Sequence, residues 1–168
     1  MEYHKSQRGR SDGRRMNVEI KGCKDPILQE KLIEATFFFA NELLTPQMLP
    51  HISLNIVMRS TMRDLGTCGV TYYNSWYKPR TFQIELRRHR SYKTTLTTLA
   101  HEMVHLKQYA KSEINIFLDK WHKQKIDTTA VPYEELPWEI EANSYEMILY
   151  KLYQEENENG HHNNTASV

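Results

Sequence analysis

At 168 residues, with 39% hydrophobic and 26% charged side chains and a formal net charge of +1, the chain suits one folded core and carries no global field toward nucleic acid or an anionic membrane. Its two cysteines, Cys23 and Cys68, are too few for a disulfide scaffold or a four-cysteine zinc ribbon and point to a reduced, intracellular protein. No run approaches the roughly eighteen apolar residues of a membrane span, and Met1-Glu2-Tyr3-His4-Lys5 lacks the apolar segment of a signal peptide, so a cytoplasmic location is expected.

The chain begins with a basic arm. Lys5, Arg8, Arg10, Arg14 and Arg15 face only Glu2 and Asp12. Residues 1–14 read as a disordered solubilising arm, with a weak nucleic-acid contact as the alternative. Met16, Val18 and Ile20 then share one face of a first strand over Met16 to Lys21. Asp25-Pro26 is a helix start, Asp as cap and Pro in the first turn. Leu28, Leu32, Ala35, Phe39 and Leu43 follow at helical spacing. Pro46 and Pro50 end that helix. His51 to Met58 reads as a strand with Ile52, Leu54, Ile56 and Met58 inward.

Gly66 to Gly69 predicts a turn, and Val70 to Tyr73 a short strand. Thr81 to Arg88 alternates cleanly, with Phe82, Ile84 and Leu86 on one face. Thr94 is the expected cap of a helix reaching about Ser112, buried through Leu96, Leu99, Ala100, Met103, Val104 and Leu106. Lys123 to Glu135 is polar loop. Pro137 opens a last helix to about Tyr153, with Ala142, Tyr145, Ile148, Leu149 and Leu152 as packing positions. Residues 155–168 are too polar to bury a core and read as a disordered tail, which leaves one domain over 15–154.

Within the Thr94 helix lies His101-Glu102-Met103-Val104-His105. Residues four apart share a helix face, so both imidazoles can address one ion. Glu102, between them, reaches a water on that ion rather than the ion itself and serves as general base. A catalytic zinc takes three protein ligands and keeps one position open. The third is sought in Pro137-Trp138-Glu139-Ile140-Glu141-Ala142. Glu141 is the preferred ligand and Glu139 the competitor, since residues two apart face different sides of a helix. Tyr145, one turn past Glu141, is the first candidate to stabilise an oxyanion, and Tyr133 is the second.

Two segments, Thr98-Leu99-Ala100-His101-Glu102-Met103-Val104-His105-Leu106-Lys107-Gln108-Tyr109 and Leu136-Pro137-Trp138-Glu139-Ile140-Glu141-Ala142, resemble small gluzincin-type metallopeptidases. The match is nearest the SprT-like group and the compact peptidases of phage genomes. The resemblance implies an α+β, minimal zincin-like domain, with a small mixed sheet packed on an active-site helix and a ligand helix. It implies a zinc-dependent metallopeptidase in which His101, His105 and Glu141 hold Zn2+ and Glu102 is the base. For a phage-encoded chain the location would be the host cytoplasm. The family's edge strand pairs with extended protein or peptide substrate. Here that strand is expected at Thr81 to Arg88, with Phe82, Ile84 and Tyr133 as substrate contacts, or at Gly69 to Tyr73 if the strand order differs. A carboxylate partner for one of the histidines is expected, with Glu146 the acid nearest the family position. A monomer is expected. The alternative class is a nucleic-acid-associated or regulatory zinc-binding module without peptidase activity.

Overall fold

The computed structural model describes residues 15–71 and 78–164, with side chains as far as residue 158. The basic arm, the Tyr72-Tyr73 end of the expected strand and residues 165–168 lie outside the described residues. The architecture is α+β. A four-stranded mixed sheet is covered on one face by helices, and two of these helices carry the histidines and the glutamates.

Strand β1 (Asn17–Lys21) leads into helix α1 (Pro26–Leu43). Asp25 caps α1 as the sequence predicts, its carboxylate accepting from the Ile27 and Leu28 amides at 3.0 and 3.2 Å. The predicted stripe Leu28, Leu32, Ala35, Phe39 and Leu43 is the buried one. Strand β2 (Ser53–Arg59) follows, with Leu54, Ile56 and Met58 inward.

Strand β3 is Gly66–Val70, where the sequence predicts a turn. Strand β4 (Thr81–Arg87) pairs with both β2 and β3. The order is β1-β2-β4-β3, with β1, β2 and β4 parallel and β3 antiparallel at one edge. The edge beside α2 is therefore β3, and β4 is interior. Phe82 and Ile84 are fully buried under the helices, so the expectation that they contact substrate fails. Alternation marked their buried face correctly, but strand order is not written in alternation. The sheet's other face is polar. Asn55 donates to Gln83 at 3.2 Å, Gln83 to Glu85 at 2.9 Å, and Arg59 pairs with Glu85 at 2.6 Å.

Helix α2 (Tyr92–Ala110) is capped by Ser91 rather than Thr94. The Ser91 hydroxyl accepts from the Thr94 amide at 3.3 Å. Arg80 closes the other end, donating to the Ala110 carbonyl at 2.8 Å, where a cation complements the helix dipole. A short hairpin of β5 (Lys120–Trp121) and β6 (Gln124–Lys125) lies between α2 and α3. Its turn residues His122 and Lys123 have φ of 45° and 72°, the left-handed pair that a two-residue hairpin turn demands.

Helix α3 spans Pro137–Asn164 and continues past the Tyr153 end expected from sequence. Glu155, Glu156 and Glu158 are strong helix formers, and the helix is anchored just before them. The anchor is Tyr153, whose ring packs 5.7 and 5.9 Å from those of Phe38 and Phe39. Of the expected packing positions, Ala142 and Leu149 are buried, whereas Tyr145, Ile148 and Leu152 are exposed. The buried stripe is Glu139, Ala142, Leu149 and Tyr153, with half-buried Glu146 in its phase. Among the described residues, no helix is long and apolar enough to cross a membrane.

Candidate metal centre

Helix α2 is buried on most of its circumference, by the sheet, α1 and α3. His101 and His105 project from its α3 side, one turn apart. Their Nε2 atoms lie 3.1 Å from each other. Glu139, in the first turn of α3, completes the group. Its Oε2 is 3.4 Å from His101 Nε2 and its Oε1 is 3.3 Å from His105 Nε2. Among the described residues, this is the one cluster of three side chains with ligand atoms close enough to share an ion.

These distances test the fit to zinc. A tetrahedral ion with ligand bonds of about 2.0–2.1 Å separates neighbouring ligand atoms by about 3.3 Å. The separation of the two imidazole nitrogens, and the approach of each to one oxygen of the Glu139 carboxylate, lie near that value. The donor set of two imidazoles and one carboxylate is also a known catalytic zinc set. Glu139 gains further from its place in the first turn of a helix, where the dipole favours negative charge.

Both histidines are held from behind. His101 Nδ1 lies 3.0 Å from Glu146 Oε2, a carboxylate partner of the kind expected for one of the histidines, one position past the family's place. His105 Nδ1 lies 2.8 Å from Gln108 Oε1. Sequence reasoning passed over Gln108. Its signal was available: a polar residue three after His105, on the same side of the helix and among the apolar Leu106, Tyr109 and Ala110.

Glu141 is not at the triad. Its carboxylate accepts from Lys107 Nζ at 2.8 and 2.9 Å and from Gln108 Nε2 at 2.9 Å. Lys107 also pairs with Glu113 at 2.7 Å. The carboxylate that completes the cluster is therefore that of Glu139, the competitor, and not that of Glu141, the preferred ligand. The two glutamates diverge by about 200° around a helix turning 100° per residue, so α3 can aim only one at the histidines. Tyr145 follows Glu141's face. It is half exposed and lines a cavity of about 160 Å³ with Glu42, Leu43, Val104, Lys107, Lys111 and Glu141, away from the triad. It cannot serve the reacting atoms. Tyr133, in the single turn before α3, does approach, and its phenol donates to the Glu139 carboxylate.

Glu102 sits beside the triad under the edge strand and is only 4% exposed. Burial pushes its carboxyl up to about 7, an effect that the nearby His105 and His101 only partly offset. Glu139 moves the other way. Burial would raise it, but its contacts with His101, His105 and Tyr133 outweigh burial and hold it well below the usual carboxylate range. His101 is lowered by burial but raised more by the Glu139, Glu102 and Glu146 carboxylates, and it ends above its ordinary value.

Gly66 of β3 explains how Glu102 is confined. A Cβ built there would lie 2.6 Å from Glu102 Oε1 and 2.6 Å from Thr98 Cγ2. The strand backbone thus occupies the space directly over the carboxylate, which only a glycine permits. The chain matches no protein-family model, no curated protein and no solved structure, so the geometry just described is the ground for any functional reading.

Proposed function

We propose that the protein is a zinc-dependent metallopeptidase of gluzincin type, with His101, His105 and Glu139 as the metal ligands. The observation that carries this reading is the His101–His105–Glu139 cluster, its two imidazole nitrogens 3.1 Å apart and each 3.3 to 3.4 Å from one oxygen of the Glu139 carboxylate, with a buried carboxyl poised near neutrality beside it. Zinc held there would supply Lewis acidity, easing deprotonation of a water and polarising a carbonyl.

The chain's own groups account for the rest. Glu102 accepts the proton of the attacking water and passes it to the leaving amine, a role suited to a carboxyl near pH 7. Gly66 keeps that carboxylate from swinging away from the histidines. Tyr133 stands beside Glu139 with a phenol that can turn to the developing oxyanion, and desolvation and the Glu139 carboxylate keep it protonated. Among the described residues β3 pairs only with β4, and a sheet edge of that kind can accept an extended peptide as an added strand. Recognition by backbone favours unfolded or flexible protein segments over folded ones.

The test is zinc content and peptide cleavage on folded wild type and on His105→Ala, Glu139→Ala and Glu141→Ala. One zinc per chain is expected in the wild type and in Glu141→Ala, and none in the other two. Cleavage of an unstructured peptide library is expected from the wild type and not from Glu102→Gln, which keeps its zinc. A folded wild type that takes up no supplied zinc refutes the reading. So does a Glu139→Ala variant that binds zinc as the wild type does.

A further inference from the structure

Gln108 makes three hydrogen bonds with one buried amide. Its Oε1 is 2.8 Å from His105 Nδ1, while its Nε2 donates to the Trp138 carbonyl at 2.9 Å and to Glu141 Oε2 at 2.9 Å. The side chain is fully buried, so water cannot substitute for any of these partners. The orientation of the amide follows from this surrounding. Two acceptors, a carbonyl and a carboxylate, converge on one end, and that end must be the NH2 group. The oxygen is left facing His105, and an oxygen there can only accept.

We propose that Gln108 is a positioning residue: it forces the His105 proton onto Nδ1, leaving the Nε2 lone pair aimed at the Glu139–His101 triangle, and the Lys107–Glu141 ion pair locks Gln108 in that sense. A reversed amide would present NH2 to Nδ1, drive the proton to Nε2 and point an N–H at the ligand position, where no metal could bind. Glu141, unable to reach the triad, thereby acts on it through two hydrogen bonds in series. Lys107 holds both Glu141 oxygens and is itself held by Glu113, so the carboxylate is not free to leave the amide.

The two histidines consequently have unlike partners. His101 leans on a carboxylate, Glu146, at a half-buried position, and His105 leans on a neutral amide in the core. A carboxylate partner makes an imidazole a more basic ligand. The amide fixes direction and tautomer without adding a further negative charge to a site that already holds Glu102, Glu139 and Glu146.

This inference rests on the zinc reading for its purpose but not for its test. Zinc-free protein labelled with 15N-histidine is examined at pH 8 by long-range proton–nitrogen correlation, which distinguishes the two tautomers of a neutral ring. Zinc affinity is measured separately by chelator competition, on wild type and on Gln108→Met, which keeps length but has no amide. The wild type is expected to show His105 protonated at Nδ1. The variant is expected to show Nε2 protonation or a mixture, with zinc bound about 10- to 100-fold more weakly. An Nε2-protonated His105 in the wild type overturns the proposal, and that result does not require the variant to fold. A folded Gln108→Met with an unchanged tautomer and zinc affinity overturns it too. If the wild type shows the expected tautomer but binds no zinc, the positioning role stands and the peptidase reading falls.

Discussion

Replacing Gly66 with alanine adds one methyl group at the closest approach between the edge strand and the active-site helix. That methyl carbon would lie 2.6 Å from Glu102 Oε1, 2.6 Å from Thr98 Cγ2 and 2.9 Å from Glu102 Cγ. Ordinary contacts between such atoms are about 3.5–4.0 Å, so strand and helix must separate by roughly 1 Å or Glu102 must leave its rotamer. Overpacking of this kind costs about 1–3 kcal/mol. Against it stands the gain from replacing glycine in a strand, about 0.5–1 kcal/mol. A net loss of about 1–2 kcal/mol is expected. Gly69, three residues along the same strand, supplies the control, because a Cβ there meets nothing within 4 Å. Gly69→Ala should therefore gain a few tenths to about 1 kcal/mol from the backbone alone. Urea unfolding of zinc-free wild type and both variants reads the difference directly. Peptide cleavage by the zinc-loaded proteins should fall in Gly66→Ala and not in Gly69→Ala. The reasoning is refuted if Gly66→Ala is as stable and as active as Gly69→Ala, since the strand backbone would then not be confining Glu102.

Glu102→Gln tests the buried carboxyl in zinc-free protein. Its folded pKa is raised to about 7 from an ordinary value of 4.5, so the unfolded chain loses this proton first as pH rises. The group's contribution to stability is therefore full below about pH 4.5 and shrinks up to pH 7, by about 3 kcal/mol from the linkage relation. The glutamine variant should gain on the wild type across that window, and parallel stability profiles would contradict the assignment. Tyr133→Phe should leave stability within about 0.5 kcal/mol, because the ring is largely exposed. It should lower kcat by about 100-fold if the phenol stabilises the oxyanion, whereas a change in KM alone would remove it from that role. Lys107→Met leaves Glu141 and Glu113 as partly buried, unpaired carboxylates. A loss of about 2–3 kcal/mol is expected in denaturant unfolding, less than for a fully buried pair, and a neutral result would show that water enters the network.

The two histidines and the acid between them could be read from the sequence because spacing along one helix is a local property. So could the buried faces of α1, β2 and β4, where apolar residues repeat with a single period. The third ligand could not be read. Glu139 and Glu141 flank Ile140, and each belongs to a self-consistent stripe on α3. One stripe runs through Ala142, Glu146, Leu149 and Tyr153, the other through Tyr145, Ile148 and Leu152. Both look amphipathic, and only the packing of α3 against α1 and α2 decides that the first is inward. The expected packing positions draw on both stripes; Glu141 and Tyr145 share the second, which the structure turns away from the two histidines. Strand β3 was hidden for a different reason. Its two glycines depress strand propensity, but Gly66 is required by a contact with Glu102 that no local window contains. The alternative edge, Gly69 to Tyr73, overlaps β3 only at Gly69 and Val70, so β4 stood as the first choice for the edge. Gln108 and Lys107 were visible as residues but not as a network, since each finds its partners on α3.

The ligand atoms come from two stretches of polypeptide, with the β5–β6 hairpin and its flanking loops between them. Any ion on this triad therefore ties His105 to Glu139 and closes the intervening loop. The chain has no other covalent or coordinate tie of that sort among its described residues, as Cys23 and Cys68 are both free thiols. Metal binding is then partly a folding event, its free energy divided between coordination and the docking of α3 on α2. Such a cross-link differs from a disulfide in what undoes it: chelation or acid opens it, and reductant does not.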